Sequence, residues 1–130
     1  MRAAVRYYSR SGNTKLVAEA LAKAAGVPAV SVDAADAAVT EPVDVLFIGG
    51  ALYAYGIDKK LQEYLKTLKK ENVGKAVVFS TSWISKHAID LIRGGLLEQG
   101  IPVEEAAFYA RNRAGAEKLK EAEAFAAKYL

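Results

Sequence analysis

The sequence predicts an α/β fold, a doubly wound parallel β-sheet with helices on both faces. Three observations predict it. Apolar runs of strand length alternate with amphipathic helical stretches along all 130 residues. The runs Val45-Leu46-Phe47-Ile48 and Ala76-Val77-Val78-Phe79 are continuous rather than alternating, as strands covered on both faces are. The first strand also runs straight into a turn of small polar residues that opens a helix.

In chain order, strand one is expected at 3–8 and the first helix at 13–25, stopped by Gly26-Val27-Pro28. Arg6 lies mid-strand, where a charge is costly unless it is satisfied. It is expected to reach water over a thinly covered part of the sheet, or to pair with Asp33 or Asp44. Ala29-Val30-Ser31-Val32-Asp33 reads as strand two, and the alanine-rich 34–42 is too short for more than a turn or two of helix. Strand three is expected at 43–50. A helix follows, capped by Asp58 and running to about Lys70, with Leu61, Tyr64, Leu65 and Leu68 on one face. Strand four is expected at 75–81. Ser85 then caps a helix with Ile89, Ile92 and Leu96 on its apolar face, ended by Gly100. Gly94-Gly95 inside it costs about 1 kcal/mol per glycine against alanine, so either close packing demands small residues there or the helix breaks. Strand five is expected within 101–109 and a closing amphipathic helix at 114–130. Right-handed crossovers then make the sheet parallel.

The length suits one domain spanning 1–130, and an apolar fraction of 52% provides its core. No apolar run reaches the length of a membrane span, and Arg6 and Arg10 interrupt any leader-like stretch. A cytoplasmic location is therefore expected. Without cysteine and with His87 as the single histidine, thiolate chemistry, disulfides and multi-histidine metal sites are excluded. The net charge of +3 is spread along the chain, with no basic stripe interleaved with aromatics, so neither a nucleic-acid nor a membrane partner is expected.

The segment Ser9-Arg10-Ser11-Gly12-Asn13-Thr14 carries the chemistry. The first N–H groups of a helix lack intrahelical partners, and the helix dipole favours an anion beside them. Ser9, Ser11 and Thr14 add hydroxyls, Asn13 adds an amide, and Gly12 lets backbone approach closely. These residues make a phosphate cradle. The chain has no G-x-x-x-x-G-K-[ST] and no G-x-G-x-x-G after strand one, so nucleoside-triphosphate and dinucleotide loops are excluded. The pattern Ser9-x-Ser11-Gly12-x-Thr14 resembles the FMN-phosphate loop of the flavodoxin family in residue type, order and distance from the N-terminus.

That resemblance implies the strand order 2-1-3-4-5 and a flavin at the switch point between strands one and three. The loops after strands three and four would then supply the other walls. The first is Gly49-Gly50-Ala51-Leu52-Tyr53-Ala54-Tyr55-Gly56-Ile57, whose leading glycines let backbone approach a ligand and whose tyrosines offer a face to a flat ring. Either Tyr53 or Tyr55 is expected to stack, the other packing on the following helix. The second is Thr81-Ser82-Trp83, where the resemblance implies an aromatic cover on the other ring face. The alternative for Trp83 is a hydrophobic plug over the helix that follows. Lys86 and His87 open that helix, and His87 is expected to be an exposed helix residue. The mildly basic balance departs from the acidic electron-carrying members of the family.

Three functions stay open. The resemblance implies an FMN-binding electron carrier, a monomer or weak dimer that exchanges electrons with redox partner proteins or a small-molecule acceptor, with no catalytic side chains required. The second is a small FMN-dependent NAD(P)H:quinone-type oxidoreductase. The third is a flavin-free interaction module on the same fold. A phosphorylated receiver is excluded, because Ser9-Arg10 and Gly49-Gly50 stand where it needs acidic residues.

Overall fold

The computed structural model describes every residue except Tyr55 and Ile84. The elements, in chain order, are β1 (Ala3–Tyr8), α1 (Asn13–Ala25), β2 (Ala29–Ser31), β3 (Val43–Ala51), α2 (Lys59–Thr67), a 3₁₀ turn (Lys70–Asn72), β4 (Val73–Ser82), α3 (His87–Glu98), β5 (Phe108–Arg111) and α4 (Ala116–Ala127). All strand pairs are parallel and the order is β2-β1-β3-β4-β5. This is the order implied by the resemblance, and the strand–helix alternation is the one expected from the apolar pattern.

The continuous apolar runs resolve into two half-sets by strand alternation. Val5, Val45, Phe47, Val77 and Phe79 point to the face covered by Val17 and Leu21 of α1 and Ala122 and Ala126 of α4. Leu46, Ile48, Ala76 and Val78 point to the other, under Leu61 and Leu65 of α2 and Ile92 and Leu96 of α3. Both faces are buried, which explains why β3 and β4 read as unbroken hydrophobic sequence.

Several boundaries differ from expectation. The α2 helix ends at Thr67, and the chain passes through the 3₁₀ turn into a β4 that starts two residues early. The expected strand over 101–109 pairs only through a lone bridge from Val103 to Ala76, and regular pairing begins at Phe108 and reaches Arg111. Between β2 and β3 there are turns and no helix. Arg6 pairs with neither Asp33 nor Asp44. Its half-buried guanidinium donates through Nε to the Ala37 carbonyl at 2.7 Å and through a terminal nitrogen to the Val5 carbonyl at 3.1 Å. The buried Tyr64 hydroxyl donates to the same Ala37 oxygen at 2.5 Å. The mid-strand arginine thus pins the loop that stands in for a helix.

The two glycines of α3 divide the alternatives set by the sequence. The helix is unbroken. A Cβ on Gly95 would stand 2.8 Å from a Leu65 methyl of α2, so the two helices pack close there and Leu65 would have to move. A Cβ on Gly94 would meet nothing within 4 Å. Gly94→Ala is therefore expected to stabilise the fold by about 0.5–1 kcal/mol through helix propensity. Gly95→Ala is expected to destabilise it, and urea unfolding of the two variants checks the contrast.

Candidate functional site

The carboxyl ends of β1, β3, β4 and β5 open onto one edge, and the loops there converge as a doubly wound sheet dictates. The loop after β1 is short because Gly12 adopts φ +92°, a left-handed turn that swings the chain into α1. No side chain caps α1, so its first N–H groups stay open to an external acceptor. Ser9 Oγ accepts from the Gly12 amide at 2.9 Å, which folds the loop into a concave turn. Ser11 is exposed and Asn13 half-buried at its mouth.

Thr14 sits deeper. Its hydroxyl is buried and lies 2.6 Å from that of Thr81 at the end of β4. A hydroxyl pair has two O–H hydrogens and one bond between them, so one remains to be donated elsewhere. The Thr14–Thr81 contact ties the first and third predicted loops together at the floor of the site.

Arg10 is turned away from the cradle. Its guanidinium bonds one carboxylate oxygen of Asp58 through two nitrogens at 2.8 and 2.5 Å. It also lies 3.8 Å above the centroid of the Tyr53 ring, and its own amide donates to the Tyr53 hydroxyl at 3.3 Å. Asp58 simultaneously caps α2 by accepting from the Lys60 amide at 2.8 Å. Burial alone would raise the Asp58 carboxyl; the Lys60 amide and the Arg10 guanidinium outweigh that and hold it below its ordinary value. The hydrogen bond to Asp58 in turn raises Arg10. Burial raises the Tyr53 phenol, so it stays protonated at neutral pH.

This latch has a pH signature. A carboxyl depressed in the folded state contributes stability that is present above its unfolded value and fades as pH falls through the folded one. Asp58→Asn keeps a capping acceptor and removes the charge. Between pH 7 and a pH below about 4, the parent is expected to lose more melting temperature than Asp58→Asn. Parallel losses in thermal melts would contradict the latch.

Beyond β3, Ala51 still pairs with Thr81 in the ladder, and Leu52 packs half-buried on the core beneath α2 and α3. Tyr53 and Gly56 then close a tight turn, the Tyr53 amide donating to the Gly56 carbonyl at 2.7 Å and the Gly56 amide to the Tyr53 carbonyl at 3.0 Å. Gly56 has φ +110°, the positive angle its loop needs, and Ala54 is exposed at the tip. Tyr55 falls outside the described residues. The glycines ahead of this turn have another role than the expected ligand approach. Gly49 and Gly50 are β3 ladder residues, small because Phe79 and Leu61 fill the space beside them.

After β4, the Ser82 hydroxyl donates to the Ser85 carbonyl, and Tyr109 donates to the Ser82 carbonyl at 3.0 Å. Trp83 is 62% exposed and is no plug over α3. Arg111 holds it, donating from Nε to the Trp83 carbonyl at 3.0 Å with its guanidinium 5.2 Å from the ring centroid. Lys86 lies 5.4 Å from the Tyr109 ring, Ser85 Oγ accepts from the His87 amide, and His87 is exposed, 3.9 Å from Asp90.

The structure thus gathers Ser9, Ser11, Gly12, Asn13, Thr14, Thr81, Ser82, Trp83 and, from the loop after β3, Ala51, Leu52, Tyr53, Ala54 and Gly56 at one edge. Two participants escaped the sequence. Asp58 reads as a cap, and nothing in its spacing marks a partner in the loop after β1. Arg111 is the other, because strand five extends past Tyr109; the close repeat Arg111-Asn112-Arg113 is its one signal in the sequence.

The donor set suits a phosphorylated, flat heterocycle: an uncapped helix start with two serines for the phosphate, and Tyr53 and Trp83 for the ring. No curated protein sequence matches the chain. The fold superposes on an archaeal flavodoxin with a TM-score of 0.85 at 20% identity, covering 99% of this chain and 96% of that one. It superposes on flavodoxin 1 of Bacillus cereus with 0.80 at 19%, covering 98% and 96%. On the rubredoxin oxygen:oxidoreductase of Desulfovibrio gigas the values are 0.81 and 14%, covering 98% of this chain and 34% of that larger one. Residues 4–100 match the flavodoxin domain family, three-quarters of the chain including the loops after β1, β3 and β4, and the chain belongs to that family of flavin proteins.

Proposed function

We propose that the protein is an electron carrier that binds one FMN at the edge formed by the loops after β1, β3 and β4. The observation that carries this reading is the uncapped start of α1, with Ser9 and Ser11 beside it and the aromatic residues Tyr53 and Trp83 on the neighbouring loops. When bound, the flavin supplies the redox chemistry, taking up and releasing electrons at its ring.

The chain's own residues bind and orient. The N–H groups at the start of α1 and the hydroxyls of Ser9 and Ser11 hold the phosphate. The Thr14–Thr81 pair braces the floor between them and β4. Trp83 covers one ring face, and the 53–56 turn borders the other. Of the two tyrosines, Tyr53 already carries Arg10 on one face of its ring. The latch through Arg10 and Asp58 holds the turn in register with the phosphate loop, so both walls are set before a ligand arrives. Among the described residues there is no group of acidic and histidine side chains able to hold a metal ion, and no helix is long and apolar enough to cross a membrane.

Reconstitution with FMN followed by stopped-flow tests the reading. The FMN-loaded protein, reduced with dithionite, is expected to pass electrons to ferricyanide and to consume NADPH no faster than free FMN does. Rapid NADPH oxidation with a quinone acceptor would instead make it an oxidoreductase, and failure to retain FMN would remove the flavin role.

A further inference from the structure

The charge of this chain is not evenly placed around the flavin edge. The loops 9–14, 52–58, 83–86 and 111–115 contain four cations, Arg10, Lys86, Arg111 and Arg113, and one carboxylate, Asp58. Asp58 is buried and already bonded to Arg10. The exposed charge of these loops is therefore positive. Beyond them, Asp90 lies within 4 Å of both His87 and Arg93, and Glu117 is exposed in the first turn of α4. Asp33 follows β2, at the opposite end of the sheet from β5, and faces Lys60.

Among these loops stands Trp83, exposed yet held by Arg111 at both its carbonyl and its ring. Tryptophan and arginine are both enriched among the residues that anchor protein interfaces, and a tryptophan already held by an arginine buries area with little further loss of side-chain freedom.

We propose that Trp83 and Arg111, rimmed by Lys86 and Arg113, form a docking surface for an electron-transfer protein whose own redox edge is acidic. Charge complementarity commits the surface to that occupant. The acidic surface steers in along the positive sector, and the Trp83–Arg111 pair supplies the desolvated contact. The inference rests on the proposed function, since the surface lies beside the flavin only if the flavin binds there.

The test uses the full chain loaded with FMN and reduced by dithionite, mixed with one of two haem proteins, acidic cytochrome b5 or basic cytochrome c. Each electron leaving the flavin reduces one haem iron from ferric to ferrous, which is read by absorbance. The rate with cytochrome b5 is expected to fall at least about tenfold as the Debye length is cut from about 30 Å to about 8 Å by added salt. The rate with cytochrome c is expected to rise or stay flat. Lys86→Glu with Arg113→Glu is expected to abolish the salt slope with cytochrome b5. Lys120→Glu with Lys128→Glu, an equal charge change on α4 and beyond its end, is expected to keep most of it. The slope reports charge at the docking site and does not move with the flavin's potential.

A slope of the opposite sign, or equal effects of the two double variants, would overturn the docking inference while leaving the flavin function standing. Tighter binding of a DNA oligonucleotide than of cytochrome b5 at the same salt would also overturn it. Failure to load FMN would instead overturn the proposed function itself.

Discussion

Gly49→Ala is expected to destabilise the fold by about 3 kcal/mol or more, lowering the melting temperature by roughly 10 °C. A Cβ at this position would stand 2.3 Å from the Phe79 carbonyl oxygen and 2.4 Å from its ring. Gly49 and Phe79 are register partners in the β3–β4 ladder at the middle of the sheet, so neither backbone can give way without breaking neighbouring pairs. Gly50→Ala is the control. Its one tight contact would be the end of the Leu61 side chain, at 2.5 Å, which can change rotamer, and the loss is expected to be about 1–2 kcal/mol. Equal stabilities for the two variants would show that the sheet tolerates spreading at its centre.

The second large effect concerns the phosphate. Replacing Ser9 and Ser11 together with alanine is expected to weaken FMN binding about a hundredfold or more and to change riboflavin binding little. A hydrogen bond to a charged group is worth about 1.5–3 kcal/mol, and each 1.4 kcal/mol is a factor of ten. Ser9 counts twice, because its oxygen also shapes the turn by accepting from the Gly12 amide. Ser11 is exposed and Ser9 half-buried, so the flavin-free variant is expected to lose no more than the Ser9–Gly12 bond contributes, about 1 kcal/mol. Isothermal titration with the two flavins measures both changes. A parallel loss for FMN and riboflavin would mean the serines shape the loop without touching phosphate.

The sheet was legible because two-sided burial leaves a mark in one dimension: Val45-Leu46-Phe47-Ile48 has no polar face to interrupt it. The 9–14 turn into α1 was legible because small polar residues around a glycine mark a strand-to-helix turn by local chemistry. What stayed hidden depends on contacts across the chain. Arg6 looked like an unpaired charge in a core strand, and nothing near it in sequence announces the Ala37 carbonyl 31 residues on. Gly49 and Gly50 looked like a ligand approach because they precede a loop, whereas their size is set by Phe79 and Leu61. Arg10 looked like part of the phosphate cradle, and its pairing with Asp58, 48 residues away, turns it into a strut between two loops. In each case the residue type was readable and its partner was not.

The central claim, a phosphate cradle and an aromatic wall built for one FMN, is tested most directly by titrating the flavin-free protein with FMN and riboflavin while following tryptophan fluorescence. Trp83 is the only tryptophan in the chain, so the signal has one origin. Strong quenching by FMN, with riboflavin binding at least about a hundredfold more weakly, is the predicted result. No quenching and no binding by either flavin would contradict it.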